Sequence, residues 1–70
     1  MLDIGKRFTY HGPNEDQIRR YNEIRTQARE FAYKLKHDCP ESRELSLAIT
    51  KLEEVVMWAN AAIARNETQA

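Results

Sequence analysis

Arginines and aromatic rings are the side chains of this sequence with chemistry to offer. Arg19, Arg20, Arg25 and Arg29 follow one another closely, and Phe8 and Tyr10 precede them in the stretch "KRFTYHGP", residues 6–13. A guanidinium is a planar fork that grips phosphate through paired hydrogen bonds. An aromatic ring offers a face on which a base can stack. Together they make the composition of a nucleotide site, with Arg25 at the edge of an apolar stripe. A plainer account stands beside it. The arginines would lie on a solvated helix face with ion pairs such as Arg19 with Glu23, and the rings would belong to an arm folded over the rest of the chain.

Catalysis finds less support. Ser42 and Ser46 stand where a helix begins, and "SRE" (residues 42–44) reads as a helix start. His37 suits a helix C-terminus, where the dipole favours a cation. Glu53 and Glu54 are neighbours in sequence and point in different directions on a helix. Cys39, before Pro40, reads as a small apolar plug at a turn. His11, His37 and Cys39 lack metal-ligand spacing. No enzyme activity, metal or cofactor is expected.

The chain has 70 residues, one cysteine, and eleven Lys and Arg against eleven Asp and Glu. A chain this short buries only about 60% of its unfolded surface and is marginal alone. One cysteine forms no internal disulfide, so association of copies is the leading way to complete a core. Zero net charge argues against wrapping a DNA or RNA polymer, which takes a large basic excess. A small anionic ligand needs only a few placed cations. No stretch resembles a signal peptide or approaches the roughly 20 apolar residues of a membrane span. A free thiol fits a reducing cytoplasm.

The elements that must position these groups are helices. Residues 1–13 carry no sustained period and read as an extended arm. A first long helix is expected over residues 14–38. Asn14 is its N-cap and Gln17 completes a capping box, while Glu15 and Asp16 suit the positive end of the dipole. Its stripe is Ile18, Tyr21, Ile24, Ala28, Phe31, Ala32 and Leu35, at steps of three and four. Pro40 breaks it and suits the first turn of a second helix over residues 40–66, followed by a tail over 67–70. The second stripe is Leu45, Ala48, Ile49, Leu52, Val55, Val56, Ala59 and Ile63. So short a connection makes the pair an antiparallel hairpin.

The second helix carries another row on its far side, including Leu47, Trp58, Ala61 and Arg65. Trp58 lies more than about 90° from the centre of the main stripe, at about 100° per residue. In an isolated hairpin it would stay largely exposed. Leu47, Trp58 and Ala61 are therefore expected to contact another copy of the chain, through an oligomer built mainly on this helix.

The segment "CPESRELSLAITKLEEVVMWANAAIARN" (residues 39–66), with "RFTYHGP" and "RYNEIRTQARE" before it, resembles the phage anti-CBASS cyclic-oligonucleotide sponge family. The family's helical hairpin is shared with some anti-Thoeris sponges, and the likeness runs over residues 6–67. The resemblance implies an all-α hexamer of hairpins, a trimer of dimers, in the cytoplasm of the infected bacterial host. It implies sequestration, without cleavage, of immune second messengers. Cyclic dinucleotides of the cyclic GMP-AMP type bind between two protomers, where an arm tyrosine stacks on bases and a helix cation meets phosphate. Tyr10 is the matching tyrosine, with His11, Gly12 and Pro13 as the turn that aims it. Arg25 is the matching cation, where the family has a lysine; Gln27 occupies the other nearby slot. Some members hold cyclic trinucleotides such as cyclic triadenylate at separate sites, for which Thr26 and Arg65 are the counterparts. The alternative to a sponge is a helical-hairpin oligomerisation or protein-interaction module with no nucleotide ligand.

Overall fold

Asn14 begins the first long helix as a reciprocal cap. In a computed structural model its Oδ1 accepts from the Gln17 backbone N–H at 2.8 Å, and the Gln17 Oε1 accepts from the Asn14 N–H at 3.0 Å. Two N–H groups that the helix itself leaves unpaired are thereby satisfied. The structure describes residues 3–8 and 12–67. Three helices follow one another: α1 over Ile4–Phe8, α2 over Glu15–Asp38 and α3 over Arg43–Asn66. No strand occurs among the described residues.

α2 ends at Asp38, where Cys39 turns extended and its N–H donates to the Leu35 carbonyl at 2.9 Å. The second long helix starts at Arg43, not at Pro40. Ser42 is the reason. Its Oγ accepts from the Leu45 N–H at 3.1 Å and donates to the Pro40 carbonyl at 3.0 Å, so residues 40–42 form the turn. Cys39 is exposed and plugs nothing. The arm also departs from expectation, because Ile4–Phe8 is a turn of helix instead of extended chain. Phe8 is 82% exposed, so it does not fold over the hairpin.

α2 and α3 pack side by side as a hairpin through one seam. Tyr21, Ile24, Ala28, Ala32 and Leu35 face Leu45, Ile49, Leu52, Val56, Ala59 and Ile63, and all are half-buried. Ile18, Phe31, Ala48 and Val55 were expected in the stripes but are exposed. Two cylinders touch along one line, and the expected stripes are wider than one line of contact covers.

The molecule measures 46 × 28 × 14 Å, one helix thick in its shortest dimension. Folded domains bury their apolar faces between packed layers, and this chain supplies only one. No hydrophobic residue is buried among those described. The radius of gyration is 15.2 Å, against about 11 Å for a compact chain of this length. The surface is 6029 Å², roughly 1500 Å² above the norm for a compact monomer of this mass. Both faces of the hairpin, and the back of α3, are open.

Candidate functional site

The open end of the hairpin carries a polar clasp. Gln17, at the first turn of α2, is 3% exposed and is the buried residue among those described. Its Nε2 donates to Glu67 Oε1 at 2.8 Å, just past the end of α3. Arg20, one turn on, grips the same carboxylate with both terminal guanidinium nitrogens, Nη1 and Nη2, at 2.6 and 2.7 Å. Its Nε donates to Asp16 at 2.9 Å. Arg20, and secondarily the Gln17 amide, hold the Glu67 carboxyl down at about 2, from an ordinary 4.5. A carboxylate held low in the folded state stabilises the fold fully above its unfolded pKa. That contribution fades as pH falls from about 4.5 towards 2. The midpoint of thermal unfolding is therefore expected to drop across this window, and less so in Glu67→Gln. Circular dichroism melts at stepped pH check this; equal drops in both proteins would exclude the clasp as a source of acid sensitivity.

The clasp separates the four arginines. Arg19 pairs with Asp16 at 2.6 Å and Glu23 at 2.8 Å, and Arg20 with Asp16 and Glu67. The ion-pair account holds for these two. Arg25 donates only to the Asn22 side-chain carbonyl, at 2.9 Å, and Arg29 makes no hydrogen bond or ion pair among the described residues. Both line a groove of about 330 Å³ between α2 and α3, floored by Ala28, Leu52 and Val56. Glu53 and Met57 border it from α3. Two guanidiniums with no carboxylate partner, against one carboxylate, leave this apolar groove with spare cationic donors. The groove continues towards the turn into a wider hollow of about 680 Å³ that shares Ala32 and Ile49.

The remaining expected site residues are spread over the chain. Tyr10 and His11 lie outside the described residues. Gly12 and Pro13 are exposed and lead directly into the Asn14 cap. Eleven residues of helix separate Asn14 from Arg25, about 17 Å, so the arm's root and Arg25 stand apart along one chain. Thr26 and Gln27 lie with Ile18 and Asn22 in a hollow on the outer side of α2. Arg65 shares a shallow hollow of about 210 Å³ with Trp58, Ala61 and Asn66 on α3. Thr26 and Arg65 are not brought into one hollow within a chain. Trp58 is 64% and Leu47 47% exposed, while Ala61 is half-buried. Sequence reasoning passed over Gln17, Arg20 and Glu67 as a group. Their partners lie about fifty residues apart, and local spacing carries no trace of that.

The family model described as the Acb2/Tad1 hairpin domain matches residues 2–64. No curated protein and no solved structure matches the chain. No described helix is long and apolar enough to cross a membrane.

Proposed function

The chain belongs to the Acb2/Tad1 hairpin-domain family, and we propose from that premise that it binds and sequesters cyclic oligonucleotide second messengers. The ligands are cyclic dinucleotides of the cyclic GMP-AMP type, with cyclic trinucleotides at separate sites. The protein acts by holding the messenger uncleaved, so that CBASS effectors in the cytoplasm of the infected bacterial host stay inactive.

The observation that carries this reading beyond the family is the groove with Arg25 and Arg29 unneutralised at its edge. Guanidiniums left without carboxylates beside an apolar floor suit a ligand with phosphates and flat bases. The groove is at the small end of ligand pockets, roughly 300 to 1,000 Å³. One chain thus offers only part of a site, and a second chain would close it. Tyr10 supplies the stacking ring, with His11, Gly12 and Pro13 turning the arm towards a neighbour's Arg25. Stacking contributes about 1 to 3 kcal/mol per base. Charge-assisted phosphate contacts add to this, and the gross sum must exceed the cost of ordering the arm; nanomolar affinity corresponds to about 12 kcal/mol. Thr26 and Arg65 from different copies meet around a three-fold axis for the trinucleotide. Leu47, Trp58 and Ala61 join the copies in a hexamer, a trimer of dimers. A closed symmetric assembly presents identical groups to a cyclic ligand.

Cyclic GMP-AMP mixed with the protein is expected to leave solution and to return intact when the protein is heat-denatured. Chromatography of the released material checks this, and linear or hydrolysed product would overturn sequestration. In calorimetry Tyr10→Ala is expected to weaken binding at least tenfold, the loss of about one base stack. Unchanged affinity removes Tyr10 from the site. An assembly that binds none of a panel of cyclic di- and trinucleotides by native mass spectrometry would instead be an oligomerisation or protein-interaction module.

A further inference from the structure

The groove between α2 and α3 carries its row of cations on into a second space. Arg25 and Arg29 line the groove of about 330 Å³, and Lys36 lines the hollow of about 680 Å³ into which it opens. At about 100° per residue the three fall within about 40° of one another on α2, a single edge about 17 Å long. Groove and hollow share Ala32 and Ile49, so one ligand can lie across both. Ala28 in the groove and Ala32 in the hollow are one turn apart, about 6 Å, a gap that a ribose bridges between a phosphate and its base.

The hollow offers different chemistry from the groove. Its floor of Ala32, Leu45 and Ile49 is apolar, and the largely exposed ring of Tyr33 lines it. Such a surface accepts the flat face of a base. Lys36, in the last turn of α2, and Glu41, in the connection to α3, line it as well. Neither side chain makes a hydrogen bond or ion pair among the described residues. An ammonium and a carboxylate, each with unspent capacity, suit the edge of a base. Lysine donates to N7 of either purine and to O6 of guanine. Guanine also carries N1–H and N2–H side by side, and the two oxygens of one carboxylate accept both at once. Adenine has only its N6 amino group to give.

We propose that the hollow is the base pocket of the messenger site and that Glu41 makes it select guanine, with the phosphates in the groove on Arg25 and Arg29. This rests on the reading of the chain as a cyclic dinucleotide sponge. Lys36 serves either purine, and Glu41 discriminates between them.

Calorimetry on the full chain with cyclic di-GMP and cyclic di-AMP tests this. The wild type is expected to bind cyclic di-GMP about tenfold more tightly, the scale of one hydrogen bond to a charged group. Glu41→Gln is expected to weaken cyclic di-GMP about tenfold and cyclic di-AMP about threefold at most. The glutamine carbonyl still accepts one N–H, but its amide meets the second guanine N–H donor against donor. Lys36→Met is expected to weaken both ligands alike, about tenfold. Glu41 is exposed in the turn, so its replacement leaves the hairpin folded, which circular dichroism checks. Wild-type affinity for cyclic di-AMP equal to or above that for cyclic di-GMP overturns guanine selection and leaves the sponge reading standing. Equal losses of the two ligands in Glu41→Gln do the same. A wild-type chain that binds neither ligand removes the sponge reading as well.

Discussion

Trp58→Ala is expected to shift the assembly to smaller species in light scattering while leaving each chain helical. Trp58 is 64% exposed and lies outside the α2–α3 seam, so its removal costs the hairpin little. Alanine is also the better helix former. Between copies the balance differs. A tryptophan seated in a desolvated contact commonly contributes 2 kcal/mol or more, about thirtyfold in affinity per contact. Its surroundings suit that use, since Ala61 and Ala62 beside it let a partner helix approach closely and Arg65 and Asn66 form a polar edge. The surface excess of roughly 1500 Å² is about twice the 800 Å² that one partner gives to a standard interface. Each chain thus has surface for two contacts, which is what an assembly larger than a dimer requires. Exposed Met57 borders the groove. Exposed Val55, two residues earlier, lies about 200° around the helix from it. These residues offer a second contact beyond the Trp58 row. Unchanged mass for Trp58→Ala would place that row outside the interface and leave these faces to build it.

The helices were legible in the sequence because their signals are local. Asn14 and Gln17 are three residues apart, and the seam residues recur at three and four. The start of α3 was misplaced by the same kind of reasoning, since Pro40 and Ser42 are both good openings. The hydroxyl decided it by capturing the Leu45 N–H. α1 escaped notice because five residues are too few for a period to show. The candidate groove was legible in part. Composition pointed to arginines beside an apolar stripe and set Arg25 at its edge, but it offered no distant partner for Arg20. Only the folded chain brings Glu67 to Arg20 and so uses up one end of the cluster. Arg29 emerges as Arg25's companion for the same reason: its turn of α2 lies away from the hairpin's open end, where the clasp carboxylates are.

That division leads to an expected difference between two substitutions at Arg25. Arg25→Ala is expected to weaken cyclic dinucleotide binding by about 2 to 3 kcal/mol, thirty- to a hundred-and-fifty-fold, the scale of charge-assisted contacts to phosphate. Arg25→Lys keeps the charge and loses the planar fork, so the loss is expected to stay within about tenfold. Its hydrogen bond to Asn22, the one it makes among the described residues, reaches an exposed amide one turn away. Neither substitution should therefore disturb the hairpin. Arg19 provides the control. Its guanidinium already bridges Asp16 and Glu23, so Arg19→Ala should trim helix stability slightly and leave ligand affinity where it was. Calorimetry on the three variants at matched salt separates the possibilities. If Arg19→Ala and Arg25→Ala weaken binding equally, the ligand responds to the field of the whole cluster and the groove has no special standing. If Arg25→Ala changes nothing while Arg29→Ala does, the phosphate sits one turn nearer the hairpin's loop, over Ala32 and Ile49, where the groove opens into the wider hollow.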